Sequence, residues 1–268
     1  MKQEVKENIR ISFLIPTLGE RETELRRLLQ SIREQSVIEG VEAVIVAQDN
    51  YDLVKRIAKE YQNAYSITVV ELEEKGLSKA RNRGLEVMQG DIVVLSDDDC
   101  WYQEDAAAFI LSEFETPELD ILLSQIKDYD QDVLYKKYAK QEEIISSKWK
   151  LLKCSSIEIA YRRERADLQF DELFGVGAEF VAGEEVDFLL RAYKNVGKIK
   201  YVPKVTVYHA KKQRGYSSKA HEARGALYAK NFNRVIGFMI CCRDLLIRRQ
   251  NVFKDFFRGY DEYAKRKN

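Results

Sequence analysis

Short apolar runs alternate with amphipathic segments along the first hundred residues. In the segment 22–35, Leu25, Leu28, Leu29 and Ile32 recur at i, i+3, i+4 and i+7, which is the spacing of one face of a helix. The apolar runs lack this spacing and have the length of buried strands. The pattern predicts strands at 11–15, 41–47, 66–70 and 92–95, and helices at 22–35, 53–61 and 77–88. Pro16 directly follows the first run and is expected to end that strand.

The second half of the chain has a less regular pattern. Helical spacing is clearest in 184–193, where Val186, Leu189, Leu190 and Tyr193 share a face. The remaining predictions are helices at 104–115 and 132–149, strands at 121–126, 156–161 and 201–209, and a long helical tail from residue 217.

Strands separated by helices need crossover connections, so the first half predicts a doubly wound, mostly parallel α/β sheet. The second half predicts a mixed sheet portion followed by helix. There is no repeat, low-complexity linker or shift in composition, and one continuous domain over 1–216 is favoured, with 217–268 as a C-terminal helical extension.

Composition narrows the class of protein only slightly. Lys plus Arg and Asp plus Glu both number 44, so net charge does not indicate a nucleic-acid partner, and 45% hydrophobic residues suffice for a core. The four cysteines form no CxxC pair, and the N-terminus has no apolar signal-peptide segment. The longest apolar run, 235–242, is too short to cross a bilayer. We expect a reduced, cytoplasmic setting, with a peripheral position on the inner face of the membrane left open.

Three consecutive acids, Asp97, Asp98 and Asp99, follow the fourth predicted strand. Ligands of open parallel sheets bind at the carboxyl ends of the strands. Alternate residues of an extended segment point the same way, so Asp97 and Asp99 are expected to converge on one hard cation, Mg²⁺ or Mn²⁺, shared with substrate phosphates. An acidic surface turn or a helix cap is the structural alternative.

A second candidate site is the start of the helix predicted at 77–88. Gly76 and Ser78 lie where free backbone N–H groups and the helix dipole favour an anion. Arg81, in the first turn, is expected either to pair with a phosphate or to hold the acidic triplet. An ordinary basic surface helix is the alternative. Thr17 and Gly19, after the first strand, are expected at the same sheet edge, with Glu20 or Arg21 adding contacts.

Glu184, Glu185 and Asp187 open the helix predicted at 184–193, where the dipole keeps carboxylates ionised. Asp187 is also spaced to pair with Arg191, and simple helix capping is the alternative. His209 ends a predicted strand and is either structural or a metal ligand, whereas His221 is expected to be exposed on the tail helix.

Five motifs in register resemble glycosyltransferase family 2 over roughly residues 9–235. They are Ile15-Pro16-Thr17, the segment 76–85 (GLSKARNRGL), the acidic triplet, the segment 183–191 (GEEVDFLLR), and Tyr201-Val-Pro203 with Val207-Tyr-His209. The resemblance implies the A-type (GT-A) fold, with a nucleotide-sugar-binding half at 1–100 and an acceptor half at 101–216. It implies inverting transfer of a sugar from a nucleotide diphosphate donor, UDP- or dTDP-linked, to a hydroxyl of a saccharide or lipid-linked acceptor in cell-surface polysaccharide synthesis.

The resemblance also implies residue roles. The expected donor-binding residues are Pro16, Thr17, Gly19, Glu20, Asp49, Gly76, Ser78, Arg81, Asn82, Asp97 and Asp98. His209 is expected to complete the Mn²⁺ or Mg²⁺ shell of Asp97 and Asp99, and Glu185 is expected to be the base, with Glu184 and Asp187 as further candidates. Two departures are the string Val46-Ala-Gln-Asp-Asn50, which lacks the usual paired aspartates, and Glu-Glu in place of the usual Glu-Asp at 184–185. Asp49 could instead cap the helix that follows it.

The tail from Leu227 to Phe257 interleaves apolar residues with arginine and lysine. Such a basic amphipathic helix fits an anionic membrane surface, its own domain or a second subunit, and the pattern does not choose among them. Before it, residues 211–218 are predicted either to close over the diphosphate or to link to the tail.

Two other classes of protein remain open. A nucleotidyltransferase uses a similar acidic site, but Pro16-Thr-Leu-Gly19 has one glycine and no lysine where its phosphate loop is expected. A catalytically silent saccharide-binding protein would keep the fold and lose the chemistry, which the intact acids and His209 argue against.

Overall fold

The computed structural model describes residues 10–165, 168–211, 217–248 and 253–266. They fall into two compact units. The first comprises Met1–Glu74, Ala80–Asp167 and Asn195–Lys211, and the second comprises Lys75–Lys79, Leu168–Lys194 and Lys212–Asn268. These units do not test the functional division at residues 100 and 216, which stays a prediction.

Within the described residues, the first unit contains one ten-stranded sheet. Its strands are β1 (Ile11–Thr17), β2 (Val41–Ala47), β3 (Ser66–Glu71), β4 (Ile92–Leu95), β5 (Trp101–Tyr102), β6 (Leu119–Asp128), β7 (Val133–Leu134), β8 (Glu143–Ile144), β9 (Ile159–Arg162) and β10 (Lys198–Tyr208). Its helices are α1 (Glu22–Arg33), α2 (Tyr51–Lys59), α3 (Leu77–Val87), whose first three residues belong to the second unit, and α4 (Ala106–Glu113).

The strand order is β3-β2-β1-β4-β9-β6-β10-β5, with β7 beside β6 and β8 beside β10. β1 to β4 pair in parallel, and β6 pairs with β10 in parallel. β9 is antiparallel to both β4 and β6, and β5 is antiparallel to β10. This arrangement confirms the predicted α/β fold with a parallel first half and a mixed second half.

Amphipathic helices cover the sheet as their spacing predicts. Leu25, Leu28, Leu29 and Ile32 on α1 are buried, and each such leucine contributes about 1.5–3 kcal/mol relative to exposure. On α3, Gly84 lies against the side chains of Leu14 and Val46. A Cβ at this position would clash with Leu14, so the glycine permits close packing of the helix on the sheet.

The second unit is helical. It contains α5 (Glu184–Ala192), α6 (Ser218–Asn231), α7 (Arg234–Arg248) and α8 (Phe253–Arg266). The backbones of α6 and α8 approach closely at two glycines: a Cβ on Gly225 would clash with the Phe256 carbonyl, and one on Gly259 with the Glu222 carbonyl. Around this crossing, Arg258 pairs with Glu222 and with Asp255 at 2.6 Å.

The prediction of a helix at 132–149 is wrong. This segment contains β7, β8 and the start of a 3₁₀ helix, Lys148–Lys153. Lys136 Nζ and Tyr138 Oη donate to the two carboxylate oxygens of buried Glu158, at 2.6 and 2.9 Å. Because a buried carboxylate needs such partners, these distant contacts override the local helical spacing.

Four smaller predictions also need correction. β1 continues through Pro16 to Thr17, because beyond Leu14 it pairs only with β2 and a missing N–H is tolerated there. Residues 156–158 form a 3₁₀ turn before β9 begins. Within its described residues the tail contains three helices, since the chain leaves α6 at extended Phe232 and Asn233 Oδ1 caps α7 by accepting from Ile236 N at 3.0 Å. His221 is buried rather than exposed.

Among the described residues, no helix is both long and apolar enough to cross a bilayer. The predicted loop 211–218 falls mostly on residues 212–216, which lie outside the described residues.

The α6–α8 crossing gives a stability prediction. Gly259→Ala puts a methyl group against the Glu222 backbone, which cannot rotate away, so we expect the free energy of unfolding to fall by about 2 kcal/mol despite the better helix propensity of alanine. Urea denaturation measures this change. Gly237→Ala on α7 is the matched control, because its methyl group meets a side chain, the ring of Tyr260 at 3.0 Å, rather than backbone. Equal stability of the two variants would contradict the prediction.

Candidate active site

The acidic triplet follows β4, beside the carboxyl end of β1 in the first unit. Asp97 accepts from Arg81 Nη2 at 3.2 Å, and Arg81 on α3 is completely buried. A buried guanidinium needs a carboxylate partner, and Asp97 supplies one while keeping about a third of its side chain exposed. Arg81 therefore holds Asp97, one of the two roles that the sequence left open for this arginine.

Asp98 is held by the loop that follows β1. Thr17 Oγ1 donates to Asp98 Oδ2 at 2.7 Å, and Arg21 Nη1 donates to Asp98 Oδ1 at 2.9 Å. Burial raises the pKa of Asp98, and the hydrogen bond from Thr17 and the charge of Arg21 offset only part of this rise. Asp98 therefore links the triplet to the end of β1.

Asp99 lies between a histidine and an arginine. Its Oδ1 is 3.0 Å from His209 Nε2, and its Oδ2 is 2.8 Å from Arg21 Nη1. His209 is 9% exposed, the Tyr135 ring meets it edge-on, and its buried Nδ1 has no hydrogen-bond partner among the described residues. The structure thus brings together two of the three predicted metal ligands.

The fit of a divalent cation can be judged from this donor set. Carboxylate oxygens and imidazole nitrogens are ligand types that Mn²⁺ accepts. Asp99 Oδ1 and His209 Nε2 lie 3.0 Å apart, so these two side chains fit a divalent cation as a pair of ligands. Asp97 is turned to Arg81 instead, and within the described residues no group of three or more His, Cys, Asp or Glu side chains is arranged to hold a metal ion. The expected convergence of Asp97 and Asp99 on one point is therefore not preformed.

The predicted donor residues that follow β1 and β2 lie in two loops, and these loops contact each other. Gly19 has φ +66° and almost no room for a side chain, because a Cβ would lie 2.8 Å from Asn50 Cβ. Asn50 Nδ2 donates to the Leu18 carbonyl at 2.9 Å, and Asp49 Oδ1 accepts from Asn50 N at 2.9 Å. Pro16 and Gly19 are buried, Asp49 is half-buried and Glu20 is exposed. Their donor-binding roles stay a prediction.

The start of α3, in the second unit, is less open than the sequence suggests. Leu77 N donates to the Val176 carbonyl at 2.9 Å, and Ser78 Oγ donates to the Phe174 carbonyl at 2.6 Å. Ser78 is 1% exposed, so its hydroxyl fixes the loop 174–176. Gly76, with φ +146°, allows the turn into the helix. Burial does not favour Ser78 as a donor ligand, and Asn82, further along α3, is buried as well.

Gly183, with φ +97°, precedes α5 and places Glu184 and Glu185 in its first turn. Glu184 is 6% exposed, while Glu185 is half-buried and more accessible. Both acids lie in the first turn of α5, at the positive end of the helix dipole.

Asp187 differs sharply from its two neighbours. It is fully buried and accepts from Arg191 Nε at 2.8 Å, Lys230 Nζ at 2.7 Å and Asn231 Nδ2 at 2.9 Å. Lys230 also pairs with Asp171 at 2.6 Å. Partial burial acts to raise the pKa of Asp171, but the hydrogen bond from Lys230 helps to lower it, and the net shift is downward. Asp187 therefore ties α5 to α6, and the predicted pairing with Arg191 is confirmed.

Sequence reasoning missed two contributors to the first-unit site. Arg21 contacts both Asp98 and Asp99, although the sequence suggested it only as a donor contact. Asp128, at the end of β6, accepts from Lys211 N at 2.7 Å and from Gln131 N at 3.0 Å, and these backbone hydrogen bonds lower its pKa. It fixes the chain just beyond His209. Nothing in the local sequence distinguishes these residues from other surface charges.

A parallel sheet with an acidic triplet at its carboxyl edge, continued by a mixed sheet, defines an A-type glycosyltransferase fold. The sequence model described as Glycosyl transferase family 2 matches residues 12–181, and the chain belongs to this family. Glu184, Glu185, Asp187 and His209 lie beyond the matched residues.

Curated relatives are longer than this chain. It is 26% identical over 220 residues to the poly(ribitol-phosphate) beta-N-acetylglucosaminyltransferase TarS of Staphylococcus aureus, covering 77% of this chain and 36% of TarS. It is 29% identical over 123 residues to glycosyltransferase GlyA of Streptococcus pneumoniae, covering 46% of this chain and 17% of GlyA. The chain therefore spans about a third and about a sixth of their lengths.

Solved structures of S. aureus TarS share the fold. The complex of TarS residues 1–349 with UDP superimposes with a TM-score of 0.65 at 20% identity, covering 96% of this chain and 82% of that chain. The corresponding complex with UDP-GlcNAc gives a TM-score of 0.66 at 21% identity, covering 84% and 68%.

The buried network of Asp187 gives a second stability prediction. Asp187→Asn leaves Lys230 and Arg191 without their shared carboxylate, so we expect the free energy of unfolding to fall by about 3 kcal/mol in urea denaturation. Asp261→Asn, at an exposed position of α8, is the matched control and should change stability little. An Asp187→Asn variant with the same free energy of unfolding as the wild type would show that the network does not contribute to stability.

Proposed function

We propose that this chain transfers a sugar, with inversion, from a nucleotide diphosphate donor to a hydroxyl of a saccharide or lipid-linked acceptor. The observation that carries the proposal is the acidic triplet at the carboxyl edge of the parallel strands, within the residues that match the family. In such sheets this edge is where a nucleotide ligand binds.

The donor is a uridine or thymidine diphosphate sugar. The TarS complexes with UDP and UDP-GlcNAc, in the same fold, support a uridine nucleotide. In this chain, Thr17 and the Gly19 turn lie beside the triplet, and Asp49 follows β2 at the same edge, where its carboxylate can accept from the base. Arg81 and Asn82 are buried on α3, so Arg81 would act on the donor site through Asp97 rather than by direct contact.

A divalent cation, Mn²⁺ or Mg²⁺, is part of the proposal. Asp99 and His209 would hold it, with Asp97 recruited from Arg81 and donor phosphates completing the shell. When bound, the cation would neutralise charge on the departing diphosphate. Arg21 and Arg81 already place two positive charges beside the triplet and would remain to balance the charge there.

Glu185 is the proposed base. It would remove the proton from the acceptor hydroxyl as the oxygen attacks the anomeric carbon, while the bond from that carbon to the diphosphate oxygen breaks. Attack opposite the leaving group inverts the anomeric centre. Glu185 is more exposed than Glu184, and Asp187 is committed to Arg191, Lys230 and Asn231. Glu184 would bond the acceptor.

Cell-surface polysaccharide is the proposed destination of the sugar, because the relative TarS is a poly(ribitol-phosphate) beta-N-acetylglucosaminyltransferase and the relative GlyA is also a glycosyltransferase. Family membership argues against a nucleotidyltransferase. A catalytically silent protein would bind a nucleotide sugar without cleaving it, so donor hydrolysis separates that class from an enzyme.

Replacing Glu185 tests the base. Glu185→Gln keeps size and polarity but cannot take a proton, so we expect the transfer rate to fall by about 10²–10⁴-fold with donor affinity unchanged. Radiolabelled sugar transfer measures the rate, and a thermal shift with the nucleotide sugar measures binding. Glu262→Gln, at an exposed position of α8, is the control. An active Glu185→Gln together with an inactive Glu184→Gln would move the base to Glu184.

Chelation tests the cation independently. EDTA should abolish transfer and donor hydrolysis, and added Mn²⁺ should restore both; Asp99→Ala should be inactive with or without Mn²⁺, because the carboxylate beside His209 is lost. Asp52→Asn, at an exposed position of α2, should behave like the wild type. Full activity in EDTA would remove the metal from the proposal without affecting the base.

A further inference from the structure

Helix α7 carries an apolar stripe on its exposed side. Val235, Phe238, Met239 and Leu246 are 68%, 47%, 56% and 81% exposed, and half-buried Cys242 lies among them. Their spacing, i, i+3, i+4, i+7 and i+11, places all five along one side of the helix.

The other side of α7 already packs within the second unit. Gly237, Ile240 and Cys241 are buried, and Gly237 lies against the ring of Tyr260 on α8. Packing on its own unit therefore accounts for one apolar side of the helix. The exposed stripe is a second apolar side, which such packing does not explain.

The stripe continues onto the start of α8. Phe253 is 42% exposed, and its ring centroid lies 6.2 Å from that of Phe238 and 4.7 Å from that of Phe257. We call Val235, Phe238, Met239, Leu246 and Phe253 the α7 patch. Contiguous exposed apolar side chains of this kind usually mark an interaction surface.

Positive charge surrounds the α7 patch. Residues 234–254 include five arginines or lysines and one aspartate, although the whole chain has no net charge. At about 100° per residue, Arg234 and Arg243 lie on opposite sides of the stripe, and both are exposed. Lys254 is exposed beside Phe253.

We propose that the α7 patch docks on an anionic lipid surface. Its apolar side chains would enter the boundary between headgroups and acyl chains, while Arg234, Arg243 and Lys254 contact lipid phosphates. A two-fold contact between copies would set the same cationic border against itself, at an electrostatic cost that a lipid surface avoids. The inference is independent of the catalytic proposal.

Vesicle co-sedimentation of the full chain tests this. Wild type should bind vesicles of mixed phosphatidylglycerol and phosphatidylcholine, bind pure phosphatidylcholine far less, and lose binding as salt rises. Phe238→Ser with Met239→Ser should lower the partition coefficient by about tenfold. Arg234→Gln with Arg243→Gln should lower it by about twentyfold.

Matched controls change equally exposed residues elsewhere. Leu134→Ser with Val176→Ser removes apolar surface outside the patch, and Arg33→Gln with Lys59→Gln removes the same charge; both should bind like the wild type. Thermal unfolding verifies that each variant is folded. Wild type left in the supernatant with anionic vesicles would overturn the proposal. So would patch variants that keep lipid binding but convert a dimer to a monomer in light scattering, which would assign the patch to a second copy.

Discussion

Three adjacent carboxylates at the end of β4 repel one another, and the first unit is organised to offset that repulsion. Each of the three has an arginine partner, and Asp99 also contacts a histidine. These partners come from different elements: Arg81 from α3, Arg21 from the loop after β1, and His209 from the residue after β10. Because β1 lies beside β4 in the sheet, Thr17 also reaches Asp98. The triplet thus depends on the sheet order and cannot be read as a local acidic turn.

The sequence predicted the first half of the chain well because its pattern is set locally. The strands Val41–Ala47 and Ile92–Leu95 were predicted to the residue, since both are short, mostly apolar runs bounded by glycine or polar residues. Helix α1 was predicted because its buried leucines recur at helical spacing. The triplet could be placed at the sheet edge for the same reason: a parallel sheet fixes where the carboxyl ends of its strands lie.

Long-range pairing is what the sequence did not reveal. The segment 132–149 has helix-compatible spacing, yet Lys136 and Tyr138 bond Glu158, about twenty residues away. Arg21 and Asp98 are 77 residues apart, and Lys230 and Asp187 are 43 apart. Each of these contacts joins charged or polar groups that are ordinary in their local context. Their partners become known only when the chain is folded, so spacing predicted the pair of Asp187 with Arg191 but not the hydrogen bonds from Lys230 and Asn231.

Helix geometry then explains why three acids at one helix start have different environments. Glu184 and Asp187 are three residues apart and share a side of α5, and both are buried. Glu185 is turned away by about 100° from Glu184 and keeps part of its side chain accessible. By anchoring its side of α5 to Lys230 and Asn231 on α6, Asp187 fixes the rotation of the helix about its axis. A change that loosened this anchor would alter the exposure of Glu185 without touching it, because the two residues are coupled through one rigid turn of helix.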